Sequence, residues 1–434
     1  MKLSTKISSQ QNKRRFIKKM LTGSLASIAL PTLASANSSI AKSQQDFNQL
    51  KSLYEASDER YWEMVKKQYT IPANLIMLNA ANLCPSPYFV TEKVTSLQQS
   101  LEKNVSFQYR AVFDTEREKA LKALAEFVVA DVEEVGITRN TTESNNTIVN
   151  GLPLKKGDEI ILWDQNHPTN STAWVERAKR DGFVIKTVSV PESPESIEDL
   201  IAPFEAAITG KTKLISFSHI SNTSGIALPA KKICALAKSN GILSMVDGAQ
   251  SFGVMNVDLK DIDCDFYSGS THKWLMGPLE NGILYIKKDH IEQLWPSIVG
   301  AGWKSGSTTV DEKFCVVGQR NNTTESAIPA IIDFHMSIGK QQIEDRVKAI
   351  HTYLKKQIQT KVPTAKFITP LQPELSAGVT IINLPEKDNK KIFSKLYETH
   401  GIACAPTGGL RLSAHIYNTM ADIDKVTDAL SAVI

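Results

Sequence analysis

The sequence predicts an α/β protein: a large domain built on a mostly parallel sheet, followed by a smaller α+β domain. Three observations lead there. Short apolar runs alternate with amphipathic stretches from about residue 90 to about residue 300. Polar side chains capable of chemistry follow several of those runs directly. After about residue 320 the alternation gives way to long helical patterns with isolated strand-like segments. A chain of 434 residues exceeds one minimal core, and 42% hydrophobic with 22% charged residues is an ordinary globular balance.

Residues 1–36 read as an export signal, to be set aside from fold reasoning. A basic segment, Lys13-Arg14-Arg15-Phe16-Ile17-Lys18, precedes an apolar stretch from Met20 to Leu33, and Ala34-Ser35-Ala36 supplies a small-x-small cleavage site. The apolar stretch is interrupted by Gly23 and Pro31 and is too short for a stable membrane span. The basic segment resembles a twin-arginine signal. In one register Lys13 replaces the first arginine; in the other Arg14-Arg15 is the pair and the spacer is missing. A periplasmic location and the twin-arginine export machinery as a partner follow from that resemblance. Seven of the 50 basic residues and none of the 46 acidic ones lie in this segment, so the rest is slightly acidic. That argues against nucleic acid as a partner. The five cysteines are scattered and give neither a disulfide framework nor a metal site.

Residues 37–77 read as a polar arm, partly helical around Gln45–Tyr69, with extended structure starting at Ile76-Met77-Leu78. A large domain is expected over 78–320 and a small one over 321–434. Leu121–Val129 has helical spacing. Glu159–Trp163 suits a buried strand, Thr172–Asp181 a helix and Val184–Val190 the next strand. Leu214–His219 is a strand, and Pro229–Ser239 is a helix with proline at its start and Gly241 past its end. Ile242–Asp247 and Phe266-Tyr267-Ser268 are further strands. In the small domain helices are expected at Ser326–Lys340, Ile343–Thr360, Asn389–His400 and Ala421–Ala432, and strands at Gly378–Asn383 and around Cys404.

Parallel sheets place ligands beyond the carboxyl ends of their strands. His167, Asn222, Asp247 and Lys273 fall just there, after four strands. Each alone reads more readily as a buried aspartate cap, a loop asparagine, a core histidine or a surface lysine; converging on one sheet edge, they support a site.

Val246-Asp247-Gly248-Ala249-Gln250 followed by Ser268-Gly269-Ser270-Thr271-His272-Lys273 resembles the cofactor core of class V aminotransferases, which have the fold-type I architecture. Thr138–Glu143 resembles that family's phosphate loop, His219–Gly225 its segment beside the cofactor's phenolic oxygen, and Gly409–Ser413 its substrate-carboxylate site. The resemblance implies pyridoxal 5'-phosphate (PLP) as cofactor and a homodimer. It implies that Lys273 carries PLP as a Schiff base, Asp247 pairs with the ring nitrogen, and Gln250 and Asn222 meet the phenolic oxygen. It sets His167 against the ring, Thr141, Thr142, Ser270 and His272 on the phosphate, and Arg411 on a substrate carboxylate. Where the family often has Gly-Thr reaching the partner's phosphate, this chain has Gly318-Gln319-Arg320; that pair could serve the same anion, or the dimer contact could differ.

Residues Arg411–Asn418 are most similar to the isopenicillin N epimerase-like branch. With an export signal attached, the chain is also similar to periplasmic PLP enzymes that modify pyoverdine siderophore side chains. Aminotransferase-type chemistry on an amino acid or an amino-acid-like group of a peptide metabolite is expected, with epimerase and C–S lyase chemistry as alternatives. A desulfurase would need a mobile cysteine before Arg411. Cys404 is the candidate, and it reads better as a small buried residue. An exported, catalytically silent binding protein is the reading from another class. A dinucleotide-binding oxidoreductase is disfavoured because no Gly-x-Gly-x-x-Gly follows a predicted strand.

Overall fold

A computed structural model of the protein describes residue 55, residues 57–384 and residues 388–434. The expected export signal and the first part of the arm lie outside the described residues.

The expected α/β architecture is present. Strands β2 (Val135–Thr138), β3 (Glu159–Trp163), β4 (Val184–Val188), β5 (Thr212–Ser218), β6 (Leu243–Asp247), β7 (Phe266–Ser270) and β8 (Gly282–Ile286) form a seven-stranded sheet of order β2-β8-β7-β6-β5-β3-β4. Neighbours from β4 to β7 pair in parallel, and only β8 runs against the rest. The period of two along each strand fills two cores. Ile161, Trp163, Ile215, Phe217, Val246, Tyr267 and Ile283 face one of them. Ile160, Leu162, Leu214, Met245, Phe266 and Leu284 face the other. Both faces are covered by helices, which is why the strands read as continuous apolar runs rather than alternating ones.

Most predicted helices form, with earlier starts. The helix foreseen from Leu121 begins at Val112, because Phe113 and Glu116 are already on its buried face. The one foreseen from Thr172 begins at Pro168, capped by His167. The single helix foreseen over Ser326–Lys340 is instead Asn322–Glu325 followed by Ile328–Ile338, ending at Gly339 with φ of +104°. The next runs from Lys340 to Lys361.

A further core, in the C-terminal part of the chain, gathers Ile350, Leu354, Ile358, Ile382, Leu396, Leu410, Leu412, Ile423 and Val426. Its sheet is β9 (Lys366–Phe367), β10 (Thr380–Asn383) and β12 (Leu410–Leu412), in the order β12-β10-β9. The segment expected to be extended, β1 (Ile76–Met77), pairs in parallel with β11 (Ile402–Ala403). The helix Glu59–Lys66 before it is tied the same way: Glu59 pairs with Arg346 and Lys66 with Asp422. Residues before the large sheet are thus fastened to the C-terminal part of the chain. No helix among the described residues is long and apolar enough to cross a membrane.

Candidate active site

The carboxyl ends of β2, β3, β5, β6 and β7 deliver the site. Thr138 ends β2, and Asn140 caps the helix Thr141–Gly151 by accepting a hydrogen bond from Glu143 N–H. That helix start can come so close to β8 because residue 282 is glycine: a Cβ there would lie 2.8 Å from the Asn140 Cα. Thr141 donates its N–H to Ser270 Oγ at 2.8 Å, and its hydroxyl meets the same oxygen at 2.7 Å. Backbone and hydroxyl donors therefore meet at a helix N-terminus, where the helix dipole favours an anion. Thr142, next along, is exposed.

Asp247 ends β6 and is 2% exposed. One of its oxygens accepts from Ala249 N–H at 3.0 Å and the other from Asn145 Nδ2 at 2.8 Å. Lys273 follows β7 in a turn closed by Met276 N–H to the Lys273 carbonyl at 2.9 Å. Met276 sits in the left-handed region at φ +59°, a conformation a non-glycine residue holds at a cost of about 1–3 kcal/mol. The Lys273 amine has no hydrogen-bond or ion-pair partner among the described residues. Burial lowers its pKa, Asp247 opposes that shift and Arg411 adds to it. A lysine so placed is more readily neutral, as a nucleophile must be.

His167, beyond β3, accepts Thr169 N–H at Nδ1 and so carries its proton on Nε2. Burial and then the Lys273 charge lower its pKa, with Asp247 and Arg411 also felt. His272 is pushed down to about 4 by burial and by Lys273, and its Nδ1 has no partner. These couplings draw His167, Asp247, Lys273 and Arg411 into one neighbourhood.

Arg411 lies on β12, 5% exposed. It donates to the Asn222 carbonyl and to Asn79 Oδ1, both at a long 3.3 Å, and its Nε has no partner. No acidic side chain pairs with it among the described residues. Burial lowers its pKa to about 10. The Asn222 backbone reaches Arg411 because the loop turns at Gly225, whose φ is +77° and whose missing Cβ would lie 2.5 Å from the Val379 carbonyl.

Other predicted residues are placed differently. Gln250 gives one N–H to the Ala81 carbonyl at 2.9 Å, and its oxygen accepts from Trp274 Nε1 at 2.7 Å, which leaves one amide hydrogen free. Gln319 is exposed and accepts from Arg110. Arg320 is paired with Glu325 at 2.5 Å and with the Cys315 carbonyl at 3.1 Å. No hydrogen bond or ion pair joins either to Thr141 or Ser270 among the described residues. Asn145, Asn79 and Ser268 belong to the site's surroundings and were not foreseen. For Asn145 a signal existed: a pair of asparagines inside a helix, one of them four residues after Thr141 and on its face.

An unpartnered lysine amine electrostatically coupled to a buried carboxylate, hydroxyl and backbone donors at a helix start, and a buried arginine short of an anion fit PLP with an amino-acid substrate. Fold and site together define a PLP-dependent enzyme of fold type I. The profile of the aminotransferase class-V family matches residues 85–426, and the chain belongs to that family. Isopenicillin N epimerase of Streptomyces clavuligerus is 30% identical over 392 residues, covering 86% of this chain and 98% of the relative. A probable cysteine desulfurase of Methanothermobacter thermautotrophicus is 28% identical over 405 residues, covering 86% and 98%. Among solved structures, a C-DES mutant with glycine covalently linked to the PLP cofactor is similar in fold. Its TM-score is 0.77 at 22% identity, over 84% of this chain and 98% of that one.

Proposed function

We propose that the protein acts at the amino-bearing Cα of an amino acid, free or as a group of a peptide-like metabolite, in aminotransferase-type chemistry. The observation that carries this is Arg411: a buried guanidinium without an acidic partner among the described residues, electrostatically coupled to Lys273. Its planar fork suits a substrate carboxylate through two parallel hydrogen bonds. PLP, when bound, supplies an electron sink that weakens the bonds at Cα. Lys273 would hold it, and the lysine amine, once released, would take the Cα proton or return it. Asp247 would face the ring nitrogen. Ser270, Thr141, Thr142 and His272 would hold the phosphate. His167 would lie against the ring, and Asn222 with the free Gln250 hydrogen would serve the phenolic oxygen. Gln319, being exposed, would meet the phosphate side of a partner subunit in a homodimer, with Arg320 stiffening that loop through Glu325.

Epimerisation is the second reading, favoured by the likeness to isopenicillin N epimerase. Desulfuration has less support: all five cysteines are buried, and burial pushes the Cys404 thiol up to about 12. A reactive cysteine needs exposure and an easily formed thiolate. The basic, apolar and small-x-small pattern of residues 1–36 supports export to the periplasm, and export in turn supports a peptide metabolite such as a siderophore as substrate.

The test supplies purified protein with amino acids and siderophore precursors and identifies products. Release of a keto product supports the proposal. Return of substrate with inverted Cα overturns it in favour of epimerisation, and cleavage with release of sulfur in favour of C–S lysis. Lys273→Ala should abolish turnover and the visible absorbance of the cofactor-loaded protein.

A further inference from the structure

We propose that Asn145 is a positioning residue for the Asp247 carboxylate, and through it for the ring-nitrogen side of the cofactor site. The proposal rests on the PLP reading above.

Asn145 is fully buried in the middle of the helix Thr141–Gly151. An asparagine there weakens the helix, and burying its amide is costly unless both ends are bonded. Both are. Nδ2 donates to Asp247 Oδ2 at 2.8 Å, and Oδ1 accepts from Ser268 Oγ at 2.6 Å. A carboxylate can only accept, so the NH2 end must face Asp247 and the Ser268 hydroxyl must donate to the other end. The second Asp247 oxygen is held by Ala249 N–H. Both carboxylate oxygens are thus fixed, one by backbone and one by a side chain, and the plane of the carboxylate is set.

The same helix presents Thr141 to Ser270 one turn earlier. Thr141 and Asn145 lie on one face, at the i and i+4 positions. One rigid element therefore connects the phosphate side of the site to the carboxylate at its ring-nitrogen side. Among the described residues no basic side chain forms an ion pair with Asp247, so the Ser268–Asn145–Asp247 relay is its side-chain support.

The test uses Asn145→Ala and Ser268→Ala in the full protein, stripped of cofactor and reloaded with PLP. PLP affinity is read by absorbance titration, the visible band is followed against pH, and melting of the cofactor-free protein is recorded. Asn145→Ala should weaken PLP binding about tenfold, the effect of losing one buried charge-assisted hydrogen bond. It should also move the pH at which the visible band changes. Ser268→Ala, which frees the amide without removing it, should shift both readouts in the same direction by less. Wild-type affinity and an unmoved band in both variants overturn the proposal. Should Asn145→Ala fail to fold, Ser268→Ala decides alone by the same two readouts. A wild-type protein that binds no PLP overturns the cofactor reading instead, and the two failures are distinct.

Discussion

Arg411 shows how a single residue can be costly to the fold and valuable to the site. A buried guanidinium without an anionic partner costs desolvation free energy that its two long hydrogen bonds only partly offset. Replacing it with methionine, of similar volume, should leave the melting temperature unchanged or raise it. The same change should raise KM for a carboxylate-bearing substrate roughly 10- to 100-fold, the range for a lost hydrogen bond to a charged group. Calorimetry and steady-state kinetics on the same preparation check both halves. A large fall in stability with unchanged KM would show that Arg411 only holds structure. At this scale the sequence was informative wherever a residue directly follows a strand, as Asp247 and Lys273 do. It was silent on partners that arrive from elsewhere in the fold: nothing local announces that Asn79 would meet Arg411, and the asparagine pair that marks Asn145 does not reveal that it meets Asp247.

Among the elements, the long helix Lys340–Lys361 carries an unusual anchor. Lys355 is buried and donates to the Pro370 carbonyl at 2.6 Å and to Ser376 Oγ at 2.7 Å. The loop it grips bridges to the segment that carries Asn222 and Gly225: Ala227 N–H donates to the Leu375 carbonyl, and Ala377 N–H to that of Gly225. Burial lowers the Lys355 pKa from 10.5 to about 8. Between those values the unfolded chain binds the proton and the folded one does not, so stability should rise as pH increases from about 8 toward 10.5. Denaturant melts across that window should show the rise, and Lys355→Met should flatten it. Elements were legible in the sequence according to their company. Glu159–Trp163 and Asn389–His400 were read to the residue because turns or caps bound them at both ends. β2 went unread because Gly136 interrupts its apolar run, and no local signal in β8 reveals that it runs against its neighbours.

For the molecule as a whole, four buried histidines set the acid limit. Burial pushes His219 and His415 down from 6.5 to about 4, and His335 and His351 to about 3. All are neutral when folded at neutral pH. Below 6.5 the unfolded chain takes up the protons and the folded chain does not, so stability is lost as pH falls from about 6.5 toward 4. Urea unfolding at pH 7 and pH 5 should show a marked fall in midpoint, and His335→Gln should lessen the pH dependence. Two of these rings also reach the turn that bears Lys273: His415 Nε2 meets the Trp274 carbonyl at 2.8 Å and His335 Nε2 the Leu275 carbonyl at 3.0 Å. Cofactor-loaded protein should therefore lose its visible absorbance on acidification before it loses helix content, which parallel absorbance and circular dichroism titrations would reveal.

The pairing of early strands with late ones also dictates an order of events during synthesis. Val135–Thr138 finds its sheet neighbour at Gly282–Ile286, and Ile76–Met77 must wait for Ile402–Ala403. Such distant pairings make folding slow and leave edges exposed while the ribosome works. A chain cut after residue 400 would still contain every residue proposed to touch the cofactor and would lack Arg411. It would also lose two of the ties of its own beginning, Ile402 and the Asp422 that holds Lys66, and keep Arg346, which pairs with Glu59.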